Sequence, residues 1–179
     1  MLDLVGQGLA PCRFVFYWMM VKKSSQGAYP KRKLIRLSAD AYHRTGAWYF
    51  VTVCCKEKKP LFRSERARSL VRDIMLQFAE RYRVELVAYT ILPNHLHLIC
   101  SAGTKGLSGF VGGFKSRVSV EFKQKYGKPS PWQARFFDHK IRGDESLNQK
   151  CEYVWMNPVR RGLVKKAEEY LWSGVRLTG

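Results

Sequence analysis

The stretch Pro93-Asn94-His95-Leu96-His97-Leu98-Ile99 constrains this chain more than any other. A strand sets residues i and i+2 on one face. His95 and His97 therefore point together to one side, and Leu96, Leu98 and Cys100 point to the other, into a core. Two neutral imidazoles side by side on a rigid sheet make half of a divalent-metal site. Most chance His-x-His pairs on strands bind nothing, so the pair needs a third ligand and a reaction to serve.

The charge balance says what partner such a site would meet. The chain has 179 residues and a formal net charge of +18, a length that suits one domain rather than two. An excess of that size points first to nucleic acid and second to an anionic membrane surface. Aromatic residues at 13% suit a surface that stacks bases as well as holding phosphates. No apolar run is long enough to span a bilayer. Phe14 to Val21 is too short, and it lacks the basic start and cleavage site of a secretory signal. The cysteines (Cys12, Cys54, Cys55, Cys100 and Cys151) are odd in number and form no C-x-x-C pair. Neither a disulfide framework nor a cysteine zinc site is indicated, and a reducing cytoplasm fits.

Along the chain, residues 1–30 show no clear period and pass into the linker-like KKSSQGAYP. We read them as a loosely attached extension, or as upstream sequence translated ahead of a true start at Met19 or Met20. Residues 31–179 form a single domain. KRKLIRL gives an edge strand or arm, and Ala47 to Cys55 a strand rich in aromatic and β-branched residues. Ser64 to Tyr82 has the spacing of a helix with one buried face. Val84 to Ile91 and His95 to Ser101 form a hairpin of two strands. Gly103 to Gly109 is a turn, with Ser108 as the cap of a second helix through Phe122. Arg135 to Arg142 reads as a fourth strand. Asp144 to Asn157 reads as a third helix, stopped by Pro158, and the remainder is a docking tail. This order predicts an α+β fold: a four-stranded antiparallel sheet with two helices on one face, the histidines on the open face, and one added C-terminal helix.

On that third helix Leu147, Cys151, Val154 and Trp155 form the inward stripe, with Tyr153 nearly opposite. Gln149, Tyr153 and Asn157 stand four apart and share a face. Such a tyrosine is either ordinary and exposed or a nucleophile. Cutting a phosphodiester needs a nucleophile and a group that neutralises charge on the phosphate oxygens. A metal ion on His95 and His97 supplies the second, and Tyr153 the first, giving a phosphotyrosine and a free 3′ hydroxyl. Asn157 can offer an amide oxygen as third ligand, with Gln149 and His139 as alternatives; such a mixed site suits Mg²⁺ or Mn²⁺. Lys115, Arg117, Lys140, Arg142, Arg160 and Arg161 are candidate DNA contacts, or else a solvated basic face. Trp132 either stacks a base or belongs to the core. His43 is incidental, and His139 has a structural hydrogen-bonding role.

From Arg36 to Trp172 the chain resembles the single-tyrosine HUH transposases of small insertion sequences, and among them the REP-associated tyrosine transposases. The resemblance is carried by AWYFVTVCC, AYTILPNHLHLI, FKSRVSVEF, WQARFFDHKIR and EYVWMNPVRRGLV, in that order and spacing. Trp155 and Met156 stand where aliphatic residues are more usual. The resemblance implies a ferredoxin-like sheet and a divalent-metal enzyme that nicks and rejoins single-stranded DNA beside a hairpin or palindromic repeat. It places the metal on His95 and His97, the nucleophile at Tyr153 and an assisting ligand at Asn157. A monomer and a homodimer are both compatible with it. Two other readings stand beside this one: a non-catalytic single-stranded nucleic-acid-binding protein of the same fold, and a nuclease that uses water.

Overall fold

The structure is a computed structural model that describes residues 46–143 and 145–175. The extension, the KRKLIRL segment and His43 lie outside the described residues. Strand β1 (Tyr49–Cys54) is followed by helix α1 (Glu65–Arg81), strands β2 (Leu86–Leu92) and β3 (His95–Cys100), helix α2 (Gly106–Tyr126), strand β4 (Phe137–Lys140), helix α3 (Leu147–Trp155), the short helix α4 (Asn157–Arg160) and strand β5 (Ser173–Val175). The sheet order is β4-β1-β3-β2-β5, with every neighbouring pair antiparallel.

Alternation in β1 and β3 creates the layers. Tyr49, Val51 and Val53 of β1 and Leu96, Leu98 and Cys100 of β3 are fully buried in one core. The stripes Ala67-Val71-Ile74-Met75 of α1 and Phe110-Phe114-Val118-Phe122 of α2 fill the same core. The Ser64 side chain starts α1 by accepting from Ala67 N–H at 3.2 Å, satisfying one of the unpaired donors of the first turn. Trp132 lies in this core too, its Nε1–H donating to the Lys115 carbonyl at 3.1 Å. Burial pushes the thiols of Cys55 and Cys100 up to about 12, as expected of inert core cysteines. The opposite face, expected to be open, is covered by α3: a smaller core there joins Val87, Ala88 and Ile99 to Cys151 and Val154, and both histidines are buried.

The sheet has five strands where the sequence predicts four. The extra one comes from the tail. Tyr170 donates its hydroxyl to the Ile91 carbonyl at 2.8 Å, and Trp172 donates Nε1–H to Ser69 Oγ at 3.2 Å. The Arg68 guanidinium lies 3.9 Å over the Trp172 ring. These contacts deliver Ser173–Val175 to the edge of β2. Gly174 is required there, because a Cβ would fall 2.5 Å from the Tyr89 ring. Helix α2 begins at Gly106, so Lys105 rather than Ser108 is its N-cap. Helix α3 ends at Trp155 rather than at Asn157, and Pro158 lies in the first turn of α4, where its missing N–H costs nothing.

Leu98 is fully buried in β3, the strand at the centre of the sheet. Leu98→Ala is expected to lower stability by about 2–5 kcal/mol, seen as a lower urea midpoint with an unchanged slope.

Candidate active site

The histidine pair lies on the α3 side of the sheet, because its neighbours Leu96 and Leu98 take the other. The two rings are 4.8 Å apart, centre to centre, at 82°. Only 7% of each residue is exposed. Each ring is fixed through Nδ1. In His95 that atom lies 2.6 Å from Asn94 Oδ1, and in His97 it lies 2.9 Å from Thr52 Oγ1. An amide oxygen only accepts, so His95 Nδ1 carries the proton and Nε2 keeps its lone pair. The Thr52 hydroxyl can hold His97 in the same tautomer. Outer partners of this kind orient metal-binding imidazoles.

Burial also keeps the pair neutral. Desolvation lowers His95 to about 4, helped by the positive charges of Arg161 and Lys58. Desolvation, then His95 and Arg161, lowers His97 to about 3. Neutral imidazoles are what a metal requires. The donor set therefore fits a divalent ion at two positions. Among the described residues no group of three His, Cys, Asp or Glu side chains completes it.

The shifts carry a pH prediction. As pH falls below about 6.5 the unfolded chain protonates these rings while the folded chain refuses. Stability is then lost by about 1.4 kcal/mol per pH unit for each ring, until each folded value is reached. The urea midpoint should therefore drop between pH 7 and pH 5, and His95→Gln with His97→Gln should flatten that dependence.

Helix α3 packs over β2 and β3 and brings Tyr153 to the pair within one chain. The Tyr153 ring lies 6.1 Å from His97 and 6.0 Å from Phe50, and Phe50 lies 5.3 Å from His97. This corrects the wheel that set Tyr153 nearly opposite the inward stripe. Asn157 is buried while Trp155 is only half-buried. Within α3 the buried positions are Cys151 and Val154, and Tyr153 sits on their flank, half-buried against the sheet. Asn157 Oδ1 accepts from Arg161 Nε at a long 3.4 Å. The Arg160 guanidinium lies 4.9 Å over the Tyr153 ring, a cation–π contact that also brings positive charge to the phenol.

One face thus gathers His95, His97, Tyr153, Asn157, Arg160 and Arg161. Four other candidates lie elsewhere. Lys115 and Arg117 belong to α2, in the layer beneath the sheet, and so do not flank the histidines. Lys115 Nζ donates to the carbonyls of Gln133 and Ala134 at 2.8 and 3.1 Å, and Arg117 pairs with Glu121 at 2.7 Å. Lys140 and Arg142 line a recess with Trp48 at the β1–β4 end. Gln149 is exposed. His139 bonds Glu145 at 2.5 Å, and Lys150 binds the other Glu145 oxygen at 2.8 Å, which ties β4 to α3. Sequence reasoning missed Thr52 and Asn94 as ring-orienting partners. Asn94 is adjacent to His95 and could have been found; Thr52 is revealed only by the β1–β3 register.

Known proteins are similar to this chain over most of its length. Residues 43–157 match the family model described as transposase IS200 like. A Haemophilus influenzae protein provisionally named a REP-associated tyrosine transposase is 26% identical over 140 residues, 72% of this chain and 79% of that protein. The REP-associated tyrosine transposase of Escherichia coli is 24% identical over 132 residues, 74% of this chain and 78% of that protein. A solved structure of a REP-associated tyrosine transposase bound to a REP hairpin shares the fold, with a TM-score of 0.59 at 21% identity over 83% of this chain and 82% of that one. With the family model spanning both histidines and the tyrosine helix, the chain belongs to the IS200-like transposase family.

Proposed function

We propose that this protein cuts and rejoins single-stranded DNA beside a hairpin or palindromic repeat, with Tyr153 as nucleophile. The observation that carries the reading is the Tyr153 ring 6.1 Å from His97. Tyr153 Oη attacks a backbone phosphorus and the bond from phosphorus to the 3′ oxygen breaks. The phenol gives up its proton, the departing 3′ oxygen gains one, and the 5′ phosphate remains esterified to the enzyme. An incoming 3′ hydroxyl reverses the exchange and joins a new strand. One phosphodiester replaces another, so no external energy source is required.

His95 and His97 would hold a divalent ion, Mg²⁺ or Mn²⁺, with Asn157 as the amide ligand once its long contact with Arg161 yields. Such an ion supplies Lewis-acid polarisation of the phosphate oxygens. Arg160 and Arg161 add positive charge on the same face, where it steers and holds the strand. Hairpin recognition is supported by the relative whose structure contains a REP hairpin.

Incubation with single-stranded hairpin libraries and Mn²⁺ tests the reading. Cleavage of hairpin-flanked strands is expected, releasing an upstream fragment with a free 3′ hydroxyl and leaving the 5′ phosphate of the downstream fragment linked to the protein and protected from phosphatase. Binding without cleavage on every strand would leave only a nucleic-acid-binding domain.

A further inference from the structure

An exposed phenylalanine stands on the catalytic face with no role in the chemistry above. In the register of the sheet, Phe137 of β4 pairs with Thr52 of β1, and Thr52 pairs with His97 of β3. Residues paired across strands share a face. Phe137, Thr52 and His97 therefore form one row, with Phe137 about 10 Å from His97 at two strand spacings. Its neighbours confirm the direction. Phe136 packs into the core on the α1–α2 side, while His139, two residues on, pairs with Phe50 and reaches Glu145 beside α3.

Phe137 is nevertheless 50% exposed. Helix α3 covers β2 and β3, and Thr52 and Cys54 beside Phe137 are only half-buried. An aromatic ring here borders a site edged by Arg160 and Arg161. A nucleobase attached to an anionic backbone fits both features. Every base offers a π-face, and the phosphates beside it meet the cations.

Resting on the proposed strand-cutting reaction, we propose that Phe137 is a base-stacking platform that seats one nucleotide of single-stranded DNA near the scissile phosphate. It thereby sets which phosphate comes to Tyr153. The ring fixes position along the strand without reading sequence through hydrogen bonds.

The test places 2-aminopurine, in turn, at each position of the single-stranded flank of a hairpin. Each DNA is titrated with Tyr153→Phe protein, which keeps it uncut. Quenching is expected at one position, lost in Phe137→Ala and restored in Phe137→Trp, with affinity about 10-fold weaker in the alanine variant. On the Tyr153 background, Phe137→Ala should also spread cleavage over neighbouring phosphates. Quenching unchanged by Phe137→Ala while wild-type protein still cuts hairpins would overturn the platform and leave the reaction standing. A switch from dimer to monomer in Phe137→Ala, at unchanged DNA affinity per protomer, would overturn it in favour of a self-association surface. Failure of wild type to cut any hairpin would sink the reaction itself, and the quenching pattern would still report on the base contact.

Discussion

Tyr153→Phe is expected to abolish the covalent protein–DNA adduct and to reduce strand cleavage by about 1,000-fold or more, while hairpin binding persists. The substitution removes one oxygen and keeps the ring. Its packing against Phe50 and His97, and the guanidinium of Arg160 over its face, remain available. Stability should therefore change by no more than about 2 kcal/mol, the scale of one lost hydrogen bond. Adduct formation on a denaturing gel, hairpin affinity and urea unfolding separate the three effects. Cleavage that survives in this variant would transfer the role of nucleophile to water.

The second large effect is expected at the histidines. His97→Ala should lower Mn²⁺-dependent cleavage by at least about 100-fold, because one imidazole alone is a poor seat for a divalent ion. The loss should come with weaker metal binding, measured by calorimetry in the absence of DNA. Thr52→Val tests the same ring from outside. It leaves His97 in place but removes the hydroxyl at Nδ1, and outer partners of this kind are worth about 10–100-fold. Excess Mn²⁺ should restore much of the Thr52→Val activity and none of the activity of His97→Ala. Equal rescue of both variants would remove His97 from the metal site.

The face of the histidines was legible because the strand period is two: Leu96, Leu98 and Cys100 could only be core if His95 and His97 were not. Helix α1 was legible from its unbroken apolar stripe, while the capping role of Ser64 came only from the structure. The tail strand was not legible. Ser173-Gly174-Val175 has no strand pattern of its own and pairs where the docked Tyr170 and Trp172 hold it beside β2. The direction of Tyr153 was misread for a related reason. An apolar wheel counts Trp155 as inward, whereas only Cys151 and Val154 of α3 are buried and Tyr153 reaches Phe50 and His97 from their flank. Lys115 and Arg117 illustrate a different limit. Their charge was evident, but α2 turns its apolar stripe to the underside of the sheet, and the helix with its cations belongs to that layer.

Peptide mapping of the trapped adduct tests the central claim most directly. Wild-type protein is incubated with a hairpin-flanked single strand and Mn²⁺, digested with protease and nuclease, and analysed by mass spectrometry. The account predicts a nucleotide 5′ phosphate on the peptide containing Tyr153. A modified peptide from any other part of the chain would contradict it.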